Sequence, residues 1–151
     1  MSFISGVLDV FFPPKCAFCR RILKKGEDGI CALCDRDIGR LPGGGAITGD
    51  FFSLCVAALP YEGKVRDAIL RFKFREDMAH VKLFGRLIAD CVSEHLAGKY
   101  DLISWVPLSS RRLKKRGFDQ AMLLAMAAAL SLSDVAVETL KKPMDVPAQS
   151  G

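Results

Sequence analysis

The stretch "CAFCRRILKKGEDGICALC", Cys16 to Cys34, sets two C-x2-C pairs eleven residues apart. Each pair forms a tight knuckle that turns two thiolates toward one point, and "KKGEDG" between them has the Gly and Asp content of a hairpin turn. Cys16, Cys19, Cys31 and Cys34 are therefore candidate ligands of one tetrahedral zinc ion. The spacer is shorter than the usual zinc-ribbon template, yet a hairpin fits within it. Two disulfides compete with this reading but lack a secretion signal, and a redox C-x-x-C normally sits at a helix start beside a strand rather than in tandem. Four thiolate ligands leave no position for water, so the metal is expected to hold the fold rather than do chemistry. Cys55 and Cys91 have no partner spacing and read as core residues.

Upstream, Phe3, Val7, Val10 and Phe11 recur at helical spacing until Pro13 and Pro14 end the run. It reads as a short helix rather than a signal peptide, because there is no basic n-region and Asp9 interrupts the apolar stretch. No segment approaches the roughly 18 consecutive apolar residues of a membrane span. No membrane partner is expected, and the location is expected to be cytoplasmic. Downstream, "IGRLPGGGAITGD" contains a Gly43-Gly44-Gly45 run, but no Lys-Ser/Thr follows it, so it reads as a linker and not a phosphate loop.

From Phe51 the pattern alternates. "FSLCVAALPY" reads as a strand buried on both faces; "EGKVRDAILRFKF" is a helix with Val65, Ala68, Ile69 and Phe72 on one side. A second helix follows in "MAHVKLFGRLIADCVSEHLAG", with Gly98 at its C-terminal end. "DLISWVPL" is a second buried strand, "FDQAMLLAMAAAL" a third helix and "DVAVETL" a third strand. This order is that of an α/β fold with a parallel sheet, whose ligands lie outside the carboxyl ends of the strands. Three units are expected: residues 1–40 with the cysteines, a linker at 41–50, and an α/β domain over 51–151.

Net charge points to one place. The chain carries 22 Lys and Arg against 17 Asp and Glu, and Arg111, Arg112, Lys114, Lys115 and Arg116 account for the whole excess of five. They follow the strand ending at Pro107 and precede a helix, with Gly117 allowing close approach of a ligand. A helix N-terminus joined by several cations suits phosphate or pyrophosphate. Asp119 weakens that site, or simply caps the helix. Nucleic acid is the other anionic candidate, although Phe118 is the only aromatic beside the cluster and no stacking platform is evident. A solvated basic loop is the bland alternative. His80 and His95 read as helix-surface residues, and no His, Ser or carboxylate constellation supports a hydrolase.

Taken in order, "FFPPKCAFC", the tandem cysteine pairs, "ALPYEGKVRDAILRFKF", "VPLSSRRLKKRGFDQA" and the terminal "VPAQSG" resemble the ComF family of competence-associated proteins. The resemblance implies an N-terminal zinc ribbon followed by a type I phosphoribosyltransferase-like parallel sheet with flanking helices. It implies phosphoribosyl pyrophosphate or pyrophosphate as ligand, with magnesium accompanying it in complete homologues. Single-stranded DNA and a helicase-type protein are the implied partners. Val106, Pro107, Arg116, Gly117, Phe118, Asp119 and Gln120 match the family's Pro-Val-Pro and Arg-Gly-Phe-Asn-Gln segment, and Lys73 matches a recurring Lys; Arg116, its basic neighbours and Lys73 would face the pyrophosphate. Asp119 departs from the family's Asn. The loop that cradles the ribose 5-phosphate would lie beyond "VPAQSG", so the sheet is expected to be partial, the chain truncated and inactive alone.

Two functions from different classes follow. One is a phosphoribosyltransferase-related protein without its main substrate loop. The other is a zinc-ribbon accessory module that binds single-stranded DNA or a helicase-type partner through the basic segment 111–116.

Overall fold

The computed structural model describes residues 13–74 and 77–144 of the 151-residue chain. The helix expected over the first residues and the "VPAQSG" segment lie outside the described residues. The elements run α1 (Ala32–Asp37), a 3-10 turn (Pro42–Gly45), β1 (Ile47–Gly49), β2 (Phe52–Cys55), α2 (Gly63–Phe74), a second 3-10 turn (Met78–His80), α3 (Val81–His95), α4 (Ser110–Arg116) and α5 (Gln120–Ser131).

The helices form where hydrophobic periodicity places them. α2 buries Val65, Ala68 and Phe72 on one face, and α3 buries Leu83, Phe84, Leu87 and Ala89. Gly98, just beyond α3, takes a left-handed φ of 68° and turns the chain away. α3 packs most extensively on α5. Gly85 permits that crossing, because a Cβ there would lie 2.4 Å from the Ala127 Cβ.

The sheet differs from expectation. β1 and β2 pair antiparallel as a hairpin, so part of the expected linker at 41–50 is a strand. The expected phosphoribosyltransferase-like parallel sheet is not seen: parallel pairing among the described residues is limited to one isolated bridge, Ile103 to Ala136. There the Val137 N–H donates to the Ile103 carbonyl at 3.0 Å. Parallel strands are stable with both faces covered, whereas Leu102, Val106, Val135 and Val137 are exposed, and pairing goes no further. β2 is likewise mostly exposed rather than buried on both faces. Cys55, expected in the core, is exposed, and Cys91 is half-buried beside it in an apolar groove with Phe52 and Ile88.

One core crosses the expected domain boundary. Cys16, Phe18, Leu23, Cys31 and Cys34 share it with Val65, Phe72, Leu83, Phe84 and Leu87. Phe84 is its aromatic hub: Phe18 meets its ring edge-on at 6.2 Å, Phe72 lies at 5.7 Å and His80 at 6.5 Å. His80 is thus a buried residue and not a surface one. Burial depresses its basicity and the Arg20 and Arg71 charges add to this, against the opposing pull of Asp77.

Gly85→Ala should destabilise the chain despite Ala being the better helix former. Overpacking costs about 1–3 kcal/mol, while the gain in helix propensity is at most about 1 kcal/mol. A urea melt of the zinc-loaded protein showing equal or greater stability for the variant would contradict the tight α3–α5 crossing.

Candidate functional site

The first knuckle is built by the backbone. Lys15 and Ile22 form an antiparallel bridge, the Cys16 N–H donates to the Arg21 carbonyl at 2.9 Å, and Arg20 takes a left-handed φ of 67°. The second knuckle opens α1: Cys31 is its N-cap, and its sulfur accepts from the Cys34 N–H at 3.4 Å. Glu27 orders the turn between them. Its carboxylate accepts from the N–H groups of Lys24 (2.7 Å) and Ala32 (2.8 Å) and pairs with Arg21 at 3.0 Å. Those two N–H groups, ahead of Arg21, hold the Glu27 carboxyl below the usual carboxylate range.

The four sulfurs converge to within 4.8 Å of one another. The Sγ atoms of Cys19 and Cys31 are 3.7 Å apart; a tetrahedron with Zn–S bonds of about 2.3 Å has an edge of about 3.8 Å. Three of the four cysteines are buried. Burial works to raise the Cys16 thiol, but the N–H groups of Cys19, Cys31 and Phe18 point at its sulfur and bring it down to about 7. Cys34 moves the other way, pushed well up by burial and then by hydrogen bonding with Cys19, Cys31 and Cys16. Four thiolates this close repel strongly unless a cation lies between them. The donor set, spacing and closed geometry fit a structural zinc ion.

The knuckle is held to the helices by specific bonds. Arg71 of α2 donates through Nη2 to the carbonyls of Ala17 (2.6 Å) and Phe18 (3.2 Å), the two residues between Cys16 and Cys19. Arg20 pairs with Asp77 at 2.6 Å, and Arg86 of α3 with Asp28 at 2.8 Å.

The basic segment is a helix rather than a loop. Ser109 caps α4, its hydroxyl accepting from the Arg112 N–H at 3.4 Å, and Gly117 ends it with φ 77°. Arg111, Lys114 and Lys115 are exposed; Arg112 and Arg116, four residues apart, are half-buried on another face. Asp119 is the N-cap of α5. One carboxylate oxygen accepts from Ala121 (3.0 Å) and Met122 (3.2 Å), the other from the Leu108 N–H (2.7 Å). Those N–H groups of the α5 N-terminus are therefore already used, and the site expected to cradle phosphate there is filled by a side chain.

Lys73 is brought beside this cluster from 43 positions earlier in the chain than Arg116. Buried Gln120 makes the link: its Nε2 donates to the Lys73 carbonyl at 3.1 Å, and its Oε1 accepts from Arg116 at 3.2 Å. Lys73 and Arg116 both lie over the Phe74 ring, at 5.2 Å and 5.3 Å from its centroid. Phe74 was not legible as a site residue, because its helical neighbours mark it only as the last apolar residue of an amphipathic helix. Phe118 is partly buried against Phe72. The zinc-ligand cluster and the cationic cluster are separate, joined through α2.

Removing zinc should unfold α2 and α3 together with the knuckles, because they share one core. Native mass spectrometry should find one zinc per chain, and chelation should lower the melting midpoint by ~10 °C or more, given ~2–4 °C per kcal/mol in chains of about this size. Cys31→Ser should do the same. Loss of metal with the helical circular dichroism transition unchanged would show that the cysteines form an independent module.

Residues 7–43 match the double zinc ribbon domain family. The chain is 31% identical over 122 residues to Competence protein ComFC of Bacillus subtilis (strain 168), a match covering 73% of this chain and 49% of that protein. The chain thus spans about half the length of the curated relative it matches. No solved structure matches it. Among the described residues, no helix is long and apolar enough to cross a membrane. With its zinc-ribbon cysteine cluster and its likeness to ComFC, the chain belongs to the ComF family.

Proposed function

We propose that this protein serves a competence-related role in handling DNA, binding single-stranded DNA along the cationic face made by α4 and the end of α2. The relative's name supplies the competence setting. The observation that carries the DNA reading is the joining of Lys73 to Arg116 through Gln120, which extends the run Arg111, Arg112, Lys114, Lys115 and Arg116 onto a second helix. An extended row of cations suits a polyphosphate strand. A compact pyrophosphate is less well served, since Asp119 occupies N–H groups at the start of α5 and places a carboxylate there. Gly117 acts as a helix terminator and Gln120 as a brace, so neither need touch the ligand. The zinc ribbon holds α2 in place, and a helicase-type protein is a proposed partner in the same setting.

A phosphoribosyltransferase-related activity is the second reading, with phosphoribosyl pyrophosphate and magnesium at the same edge. It is favoured by the parallel bridge between Ile103 and Ala136, which flanks α4 and α5 as a β-α-β crossover does.

Binding of labelled oligothymidylate to the zinc-loaded chain should weaken steeply with salt. The triple variant Arg111→Gln, Lys114→Gln, Lys115→Gln should lower the log–log salt slope by about 0.7 for each phosphate that is no longer neutralised. Excess phosphoribosyl pyrophosphate should leave the strand bound. Stoichiometric binding of phosphoribosyl pyrophosphate with displacement of the strand would favour the second reading.

A further inference from the structure

Phe74 ends α2 with 60% of its surface exposed, although the residue two positions before it, Phe72, lies in the common core. A phenyl ring left open to water at a helix end forgoes the stabilisation of burial, and two cations flank this one. The Lys73 Nζ is 5.2 Å from the ring centroid and the Arg116 Cζ 5.3 Å. Gln120, only 8% exposed, holds the Arg116 guanidinium through its oxygen and donates its amide to the main-chain carbonyl of Lys73, so it ties the end of α2 that carries the ring to the arginine beside it. Behind Phe74, Phe72 packs between Phe84 and Phe118, which fixes the helix end that presents the ring.

We propose that Phe74, bracketed by Lys73 and Arg116, is a stacking site for an unpaired base, with the two cations taking the phosphates on either side. This rests on the single-stranded DNA reading above and adds what the charges alone do not supply, a preference for strands that carry bases. A phenyl face accepts any base, so the site is sequence-tolerant, and the guanidinium over the ring adds a cation–π contribution. Paired bases are not available to it, and duplex DNA should bind through charge only. Gln120 is a positioning residue for this site.

The test compares labelled oligothymidylate with an abasic phosphodiester strand of equal length, using the zinc-loaded full chain. The wild type should bind the base-bearing strand about tenfold more tightly, in line with the stacking contribution of an aromatic platform. Phe74→Ala should remove that preference, so that the two strands bind alike, while Phe74→Trp should retain it. Gln120→Ala, checked for zinc content and circular dichroism, should reduce the preference in part. Equal binding of both strands by the wild type, or an equal loss on both strands in Phe74→Ala, would overturn the stacking site while leaving the charge-based reading in place. Failure of either strand to bind the wild type at low salt would overturn the DNA reading itself, and the stacking site with it.

Discussion

Four sulfur atoms within 4.8 Å of one another are a constraint that the rest of this chain must satisfy. As thiolates they repel, and as buried thiols they leave two knuckles with little hydrophobic material of their own. A divalent cation held between them would turn that repulsion into attraction. The knuckle so formed exposes two carbonyls, those of Ala17 and Phe18, and Arg71 reaches from α2 to take both. Phe18 then enters the aromatic cluster around Phe84. The cysteine cluster, the Arg71 guanidinium and the ring packing act on the same few residues, so the ribbon and the helices share one core.

α2 connects this centre to the cationic surface. Arg71 faces the first knuckle, Phe72 the core, and Lys73 and Phe74 the cluster at Arg116, all within four successive residues. A rigid helix with a fixed end is what a surface site of this kind needs, because each side chain is set by the turn before it. Buried polar groups supply the rest of the order. Asp119 satisfies two N–H groups of α5 and one of Leu108, and Gln120 bridges two helices. The same carboxylate that caps α5 occupies the N–H groups of Ala121 and Met122, which an anion at that helix end would otherwise use.

The apolar surface is unevenly distributed. Leu130 on α5 is 81% exposed, and Leu102, Val106, Val135 and Val137 are exposed as well. The aliphatic run of α5 buries Ala128 and Ala129 while Met126 stays outside. Leu102, Val135 and Val137 adjoin the parallel bridge in sequence, where the expected sheet does not extend. Period-2 patterns report which residues are able to form strands. They do not report whether a neighbour is present to cover both faces.

Residue identity alone determined the cysteine cluster, the helices α2, α3 and α5, and the location of the charge excess. Cysteine spacing is local chemistry, amphipathic period is local geometry, and five cations in six residues need no partner to be recognised. Tertiary structure decided how each was placed. It showed that the ribbon shares its core with α2 and α3, that 111–116 is a helix, and that Asp119 caps α5. It also buried His80, exposed Cys55 and brought Lys73 and Phe74 to Arg116. Every one of those outcomes depends on contacts between residues far apart in the chain, and no local pattern encodes which distant surface will arrive to cover a residue or leave it open.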